Sequence, residues 1–73
     1  MNIEMHFIRN AVTLNEFGHF GKAAKFLNLS QPALSRSISA LEEKLGARLF
    51  ERRTKPLKAT EFGQFFFERA IPL

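Results

Sequence analysis

Gln31, Pro32, Ser35 and Arg36 bring an amide, a pyrrolidine ring, a hydroxyl and a guanidinium into a span of six residues. With no base or metal to activate the hydroxyl, the amide, hydroxyl and guanidinium suit reading hydrogen-bonding edges and not breaking bonds. A guanidinium can donate bidentately to guanine, and an amide or hydroxyl can meet a base edge directly or through water. Lys22, Lys25, Arg52, Arg53, Lys55 and Lys58 surround the four in sequence and suit phosphate neutralisation. Ser30 and the backbone N–H of Gly21 are further candidates for a phosphate backbone. The same residue types give no catalytic constellation: the chain has no nucleophile–base pair, glycine-rich phosphate loop or metal cluster. With no cysteine and only His6 and His19, neither a disulfide nor a zinc site can be assembled. Double-stranded DNA is the expected partner, with no catalytic residue, metal or cofactor.

The four residues need a helix to hold them. Leu34, Ile38, Leu41 and Leu45 follow at intervals of four, three and four, so they form one apolar stripe. Opposite it lie Pro32, Arg36 and Ser39, with Ser35 on the flank. Ser30 is placed as N-cap, Pro32 suits the first turn, and Gly46 can end the helix in a left-handed conformation. Residues 31–45 are therefore predicted to be one helix with a buried face and a reading face. Glu43 shares the exposed face with Arg36 about 10 Å further along. It repels phosphate, so reading is confined to the N-terminal half, where the helix dipole favours an anionic backbone.

Charge distribution agrees. The 73 residues carry a net charge of +4. The span 22–58 holds nine cationic side chains against Glu42, Glu43 and Glu51, or +6, while the ends hold two against four, or −2. A basic middle between mildly acidic ends points to a polyanion on one surface. No apolar run approaches 18 residues and no basic–apolar leader opens the chain, so a cytoplasmic protein without a membrane partner is expected.

Along the chain, Met1 to Asn15 reads as a first helix with two apolar groups. Ile3, Phe7, Ala11 and Leu14 line one face; Met5, Ile8 and Val12 line another. The second face either meets a partner or is wedged between helices of the same chain. Gly18 and Gly21 bracket a break in which Phe20 anchors the core and His19 is a polar turn residue. Gly21 to Leu27 forms a short helix whose Ala23 and Ala24 permit close approach. Two helices joined by a tight turn at Asn28-Leu29 make a helix-turn-helix, with 31–45 as its recognition helix. Arg48 to Arg52 and Leu57 to Ala59 then read as a two-stranded hairpin, clamped by Leu49, Phe50 and Leu57. Arg52, Arg53, Lys55 and Lys58 are expected to project from it as a basic wing able to reach a minor groove. Thr60 caps a last helix from Glu61, with Phe62, Phe65 and Phe66 on one face and Phe67, Ala70 and Ile71 on the other.

The run Gly18-x-Phe20-x-x-Ala23-Ala24-x-x-Leu27-x-x-Ser30-Gln31-Pro32-Ala33-Leu34-Ser35 resembles the N-terminal DNA-binding domain of LysR-type transcriptional regulators. The resemblance continues through Ile38-x-x-Leu41-Glu42-x-x-Leu45-Gly46-x-x-Leu49-Phe50-x-Arg52 and ends at Thr60-x-x-Gly63. It implies a bacterial cytoplasmic, nucleoid-associated regulator of mainly α fold: a winged helix-turn-helix with a three-helix core, a two-stranded wing and the start of a C-terminal linker helix. Residues 1–59 correspond to the DNA-binding domain and 60–73 to the start of the linker and dimerisation helix. Gln31, Pro32, Ser35 and Arg36 match positions that face DNA from the recognition helix; Arg52 and Arg53 match wing positions. The resemblance implies an interrupted palindrome as target, bound by a homodimer or, in full-length relatives, a tetramer. Any small-molecule effector would act through a C-terminal domain absent from these 73 residues. Met5, Ile8, Val12, Phe62, Phe65, Phe66 and Ile71 are the candidate dimerisation residues, and the short linker makes pairing weak or altered. Three departures stand out. His19 and Gly21 replace a frequent Ser and Thr, and Ala59 replaces a larger aliphatic. The alternative reading is a winged-helix protein-interaction module that uses the apolar faces of the first and last helices.

Overall fold

In the computed structural model, which describes residues 4–70, each helix ends where a specific residue stops it. Helix α1 (Met5–Phe17) runs two residues beyond the expected break and closes on Gly18, whose φ of 65° lets its N–H reach the Leu14 carbonyl at 2.8 Å. Helix α2 (Phe20–Leu27) starts at His19, whose Nδ1 accepts from the Lys22 N–H at 3.1 Å. It ends at Asn28, a short polar residue that tolerates the left-handed region, at φ 60°. The Leu29 N–H then turns back onto the Ala24 carbonyl at 2.9 Å. Helix α3 (Gln31–Leu45) opens with the Ser30 hydroxyl accepting from the Ala33 N–H at 3.1 Å and closes at Gly46, φ 77°. Ser30→Ala removes that cap and is expected to cost about 1 kcal/mol. For a domain of this size, thermal unfolding followed by circular dichroism should then show Tm about 4–8 °C lower.

The stripe on α3 packs as its spacing demands. Leu34, Ile38 and Leu41 are fully buried against Ala11 and Leu14 of α1 and Ala23 and Ala24 of α2, while Leu45 is only half-buried at the edge. The small alanines allow the helices to pack closely, and Asn10 of α1 donates to the Ser37 hydroxyl at 3.0 Å, tying α1 to α3.

The wing is minimal. Strands β1 (Phe50–Glu51) and β2 (Lys58–Ala59) pair antiparallel, Phe50 opposite Ala59 and Glu51 opposite Lys58. Leu49 and Phe50 are buried in the core, and the Leu57 N–H donates to the Gly18 carbonyl at 3.1 Å, pinning the wing to the α1–α2 turn. Thr60 joins the wing to helix α4 (Glu61–Ala70): its hydroxyl accepts from the Gly63 N–H at 2.9 Å and donates to the Arg48 carbonyl at 2.6 Å. Helix α4 buries Gly63 and Phe67 and leaves Phe65 exposed. The Phe67 ring lies 5.5 Å from that of Phe50, and Phe62 and Phe66 flank it, half-buried. Four helices and a two-stranded wing in this order are a winged helix-turn-helix.

Candidate nucleic-acid interface

The first turns of α2 and α3 lie side by side. A Cβ built on Gly21 would sit 3.0 Å from the His19 ring and 3.2 Å from the Gln31 amide nitrogen, so those three residues are immediate neighbours. Two helix N-termini with unpaired backbone N–H groups therefore face one region, and their dipoles favour an anion there. Gln31, Pro32 and Arg36 are exposed and Ser35 is half-buried. Arg36 has no hydrogen bond or ion pair among the described residues, so its guanidinium is available. Lys22 and Lys25 are exposed on α2. The Ser30 oxygen is used as the cap, which leaves its proton free to be donated.

Across an open groove of about 530 Å³ from the α1–α2 turn stands the wing. Arg53, Lys55 and Lys58 are exposed on it, as expected. Arg52 corrects the expectation, because it does not project. Its guanidinium turns back over α3, with Nη1 donating to Ser35 Oγ at 3.2 Å and Nη2 to Ser39 Oγ at 3.2 Å. Nη2 also lies 3.4 Å from Glu42 Oε1, and the guanidinium carbon sits 5.4 Å from the centre of the Phe20 ring. The physical cause is Glu42. It is buried, and its Oε2 accepts from the Leu49 and Phe50 N–H groups at 2.7 and 3.4 Å. A buried carboxylate on α3 offers Arg52 more than solvent does.

Sequence reasoning misses Glu42, although a signal for it is present: it follows Ile38 by four residues and so belongs beside the buried stripe. His19 is a helix cap and not merely a turn residue. Among the dimerisation candidates, Met5 is 74% exposed and Phe65 53% exposed, with the Arg69 guanidinium over the Phe65 ring. Ile8 is half-buried, whereas Val12, Phe62 and Phe66 pack against their own chain's core. Ile71 lies outside the described residues. Phe17 and Phe26, 41% and 70% exposed, pair at 5.3 Å between ring centres, a surface feature that sequence reasoning does not single out.

A helix-turn-helix whose second helix presents polar groups beside a basic wing is the architecture of a regulatory DNA-recognition module. The chain belongs to the family described as "Bacterial regulatory helix-turn-helix protein, lysR family", whose model matches residues 5–64. It is 51% identical over 63 residues, 86% of its length, to the SDS degradation transcriptional activation protein of Pseudomonas sp. (strain ATCC 19151), of which it covers 21%. It is 45% identical over 71 residues, 97% of its length, to the HTH-type transcriptional regulator BenM of Acinetobacter baylyi, covering 23% of it. The BenM_DBD/benA site 1 DNA complex superposes with a TM-score of 0.90 at 44% identity, over 93% of this chain and 76% of that one. Vibrio fischeri DarR in complex with DNA superposes with a TM-score of 0.93 at 37% identity, over 96% of this chain and 24% of that one. The chain thus spans about a fifth to a half of the length of the first curated relatives it matches.

Proposed function

We propose that this chain binds duplex DNA in a sequence-specific manner as the DNA-binding part of a LysR-type regulator. The observation that carries this reading is the unpartnered Arg36 on the N-terminal half of α3, beside exposed Gln31 and Pro32 and flanked by two helix N-termini. The first turns of α3 enter the major groove. Arg36, Gln31, Pro32 and Ser35 face base edges, while Gly21, Lys22, Lys25, Ser30, Arg53, Lys55 and Lys58 hold the backbone. Helix α4 (Glu61–Ala70) begins the linker helix, and pairing of two chains uses the exposed Met5 and Phe65. In the full-length regulator, a further domain would sense the effector, and the site of action is the bacterial cytoplasm at the nucleoid. DNA complexes of relatives at 37–44% identity support the reading.

Selection of bound duplexes from a random pool tests it. A preferred half-site should emerge, and Arg36→Ala should weaken binding to that site by about 1–3 kcal/mol and relax preference at one base pair. Anisotropy titrations against the selected site and its single-base variants measure both. Unchanged affinity and preference in Arg36→Ala would remove the role assigned to this helix.

A further inference from the structure

Ser35 sits on the reading edge, but its oxygen is already engaged. Arg52 reaches it from the wing and donates Nη1–H at 3.2 Å, and the neighbouring Nη2 donates to Ser39, one turn further along α3. A hydroxyl that accepts from a guanidinium has a lone pair fixed toward it, and its own proton must point elsewhere. Among the described residues the Ser35 hydroxyl donates to nothing. The guanidinium is in turn fixed on three sides: by Glu42 Oε1 at 3.4 Å, by the Phe20 ring beneath it, and by the two serine oxygens. Glu42 is itself immobilised by the Leu49 and Phe50 N–H groups.

We infer that Arg52 is a positioning residue that occupies one lone pair of Ser35 and turns its hydroxyl proton outward, so that this point of the reading helix favours an acceptor on DNA. The inference rests on the DNA-reading role proposed above. Unconstrained, a serine hydroxyl takes either a donor or an acceptor. Polarised by Arg52, it donates more strongly to purine N7, guanine O6, thymine O4 or a phosphate oxygen, and with one lone pair already taken it is a poorer acceptor for the amino groups of cytosine and adenine. Arg52 contributes this discrimination without touching the duplex. Ser39 is held by the same guanidinium, so a second oriented hydroxyl extends the strip.

The test compares wild type with Ser35→Ala, Arg52→Gln, Arg52→Lys and the double variant Ser35→Ala/Arg52→Gln on the selected site and all its single-base variants. Arg52→Gln should lose about two- to tenfold of the preference at the one base pair that Ser35→Ala also affects. The double variant should lose no more there than Ser35→Ala alone. The slope of log K against log salt should stay as in wild type for Arg52→Gln, whereas Arg53→Gln should reduce it by about one. If Ser35 meets a phosphate, Ser35→Ala and Arg52→Gln will instead weaken every sequence by the same factor, still without a change in slope. Should Arg52→Gln fail to fold, Arg52→Lys carries the test. It keeps the charge beside Glu42 but loses the fork that reaches both serines, and the same loss at the same position is expected. A shallower slope in the Arg52 variants would make Arg52 a phosphate contact and overturn the inference. So would additive losses in the double variant, or an Arg52→Gln variant that binds every sequence as tightly as wild type. A wild type that binds all sequences alike would overturn the DNA-reading role itself.

Discussion

Gly63→Ala should unfold the domain or leave it barely folded. Gly63 lies in the first turn of α4 against the base of the wing, and a Cβ there would collide with the Leu49 carbonyl oxygen while meeting the Ala59 Cβ at 3.2 Å. The obstacle is backbone. The Leu49 carbonyl accepts the Thr60 N–H at 2.9 Å, and the Leu49 N–H is held by Glu42, so neither side can yield without breaking a bond. Forced overpacking of this kind costs about 3 kcal/mol or more. A domain below 80 residues commands only about 3–5 kcal/mol in total. Thermal unfolding should show a Tm lower by about 12–24 °C, or no cooperative transition. Gly46→Ala makes a useful contrast. Nothing lies within 4 Å of a Cβ there, so only the strain of φ 77° acts, at about 1–2 kcal/mol. Equal stability of the Gly63→Ala and Gly46→Ala variants would contradict the close packing of α4 on Leu49 and β2.

Glu42→Ala should be the second most damaging change. Its carboxylate satisfies the N–H groups of Leu49 and Phe50 in the core and one edge of the Arg52 guanidinium. Deleting it leaves two buried donors without a partner and a half-buried cation without its counter-charge, a loss of about 2–4 kcal/mol. Glu42→Gln keeps a carbonyl for the Leu49 N–H but turns an amide toward Arg52, so an intermediate loss is expected. Hydrogen exchange gives the local signature: in Glu42→Ala the Leu49 and Phe50 amides should lose protection before the amides of α3 do. Uniform loss across the domain would mean that Glu42 does not act through the wing.

The features legible in the sequence are those that local chemistry decides. Ser30, Pro32 and Gly46 mark the ends of α3 because caps act within one turn, and Leu34, Ile38 and Leu41 mark its buried face because a helix repeats. The order of elements and the family follow from the same kind of signal. What escapes depends on contacts between distant segments. Arg52 lies in a basic run and reads as solvent-facing, yet a carboxylate ten residues earlier turns it inward. Helix α4 is apolar nearly all round, so periodicity cannot choose between its faces; Phe50 chooses Phe67. His19 becomes a cap beside Gly21, which lacks a Cβ and leaves room for its ring.

The tie between Leu57 and Gly18, together with the Glu42 carboxylate, has a mechanical consequence. With strands of two residues each, the wing has little stiffness of its own and takes it from α1, α3 and α4. These bonds set the gap between wing and reading helix, which then acts as a ruler. In the proposed DNA-binding role, a duplex whose groove spacing does not match that ruler must deform to fit, and the energy of doing so depends on its sequence. Base pairs that lie between the two footholds would then be discriminated by their stiffness, although no side chain reaches them.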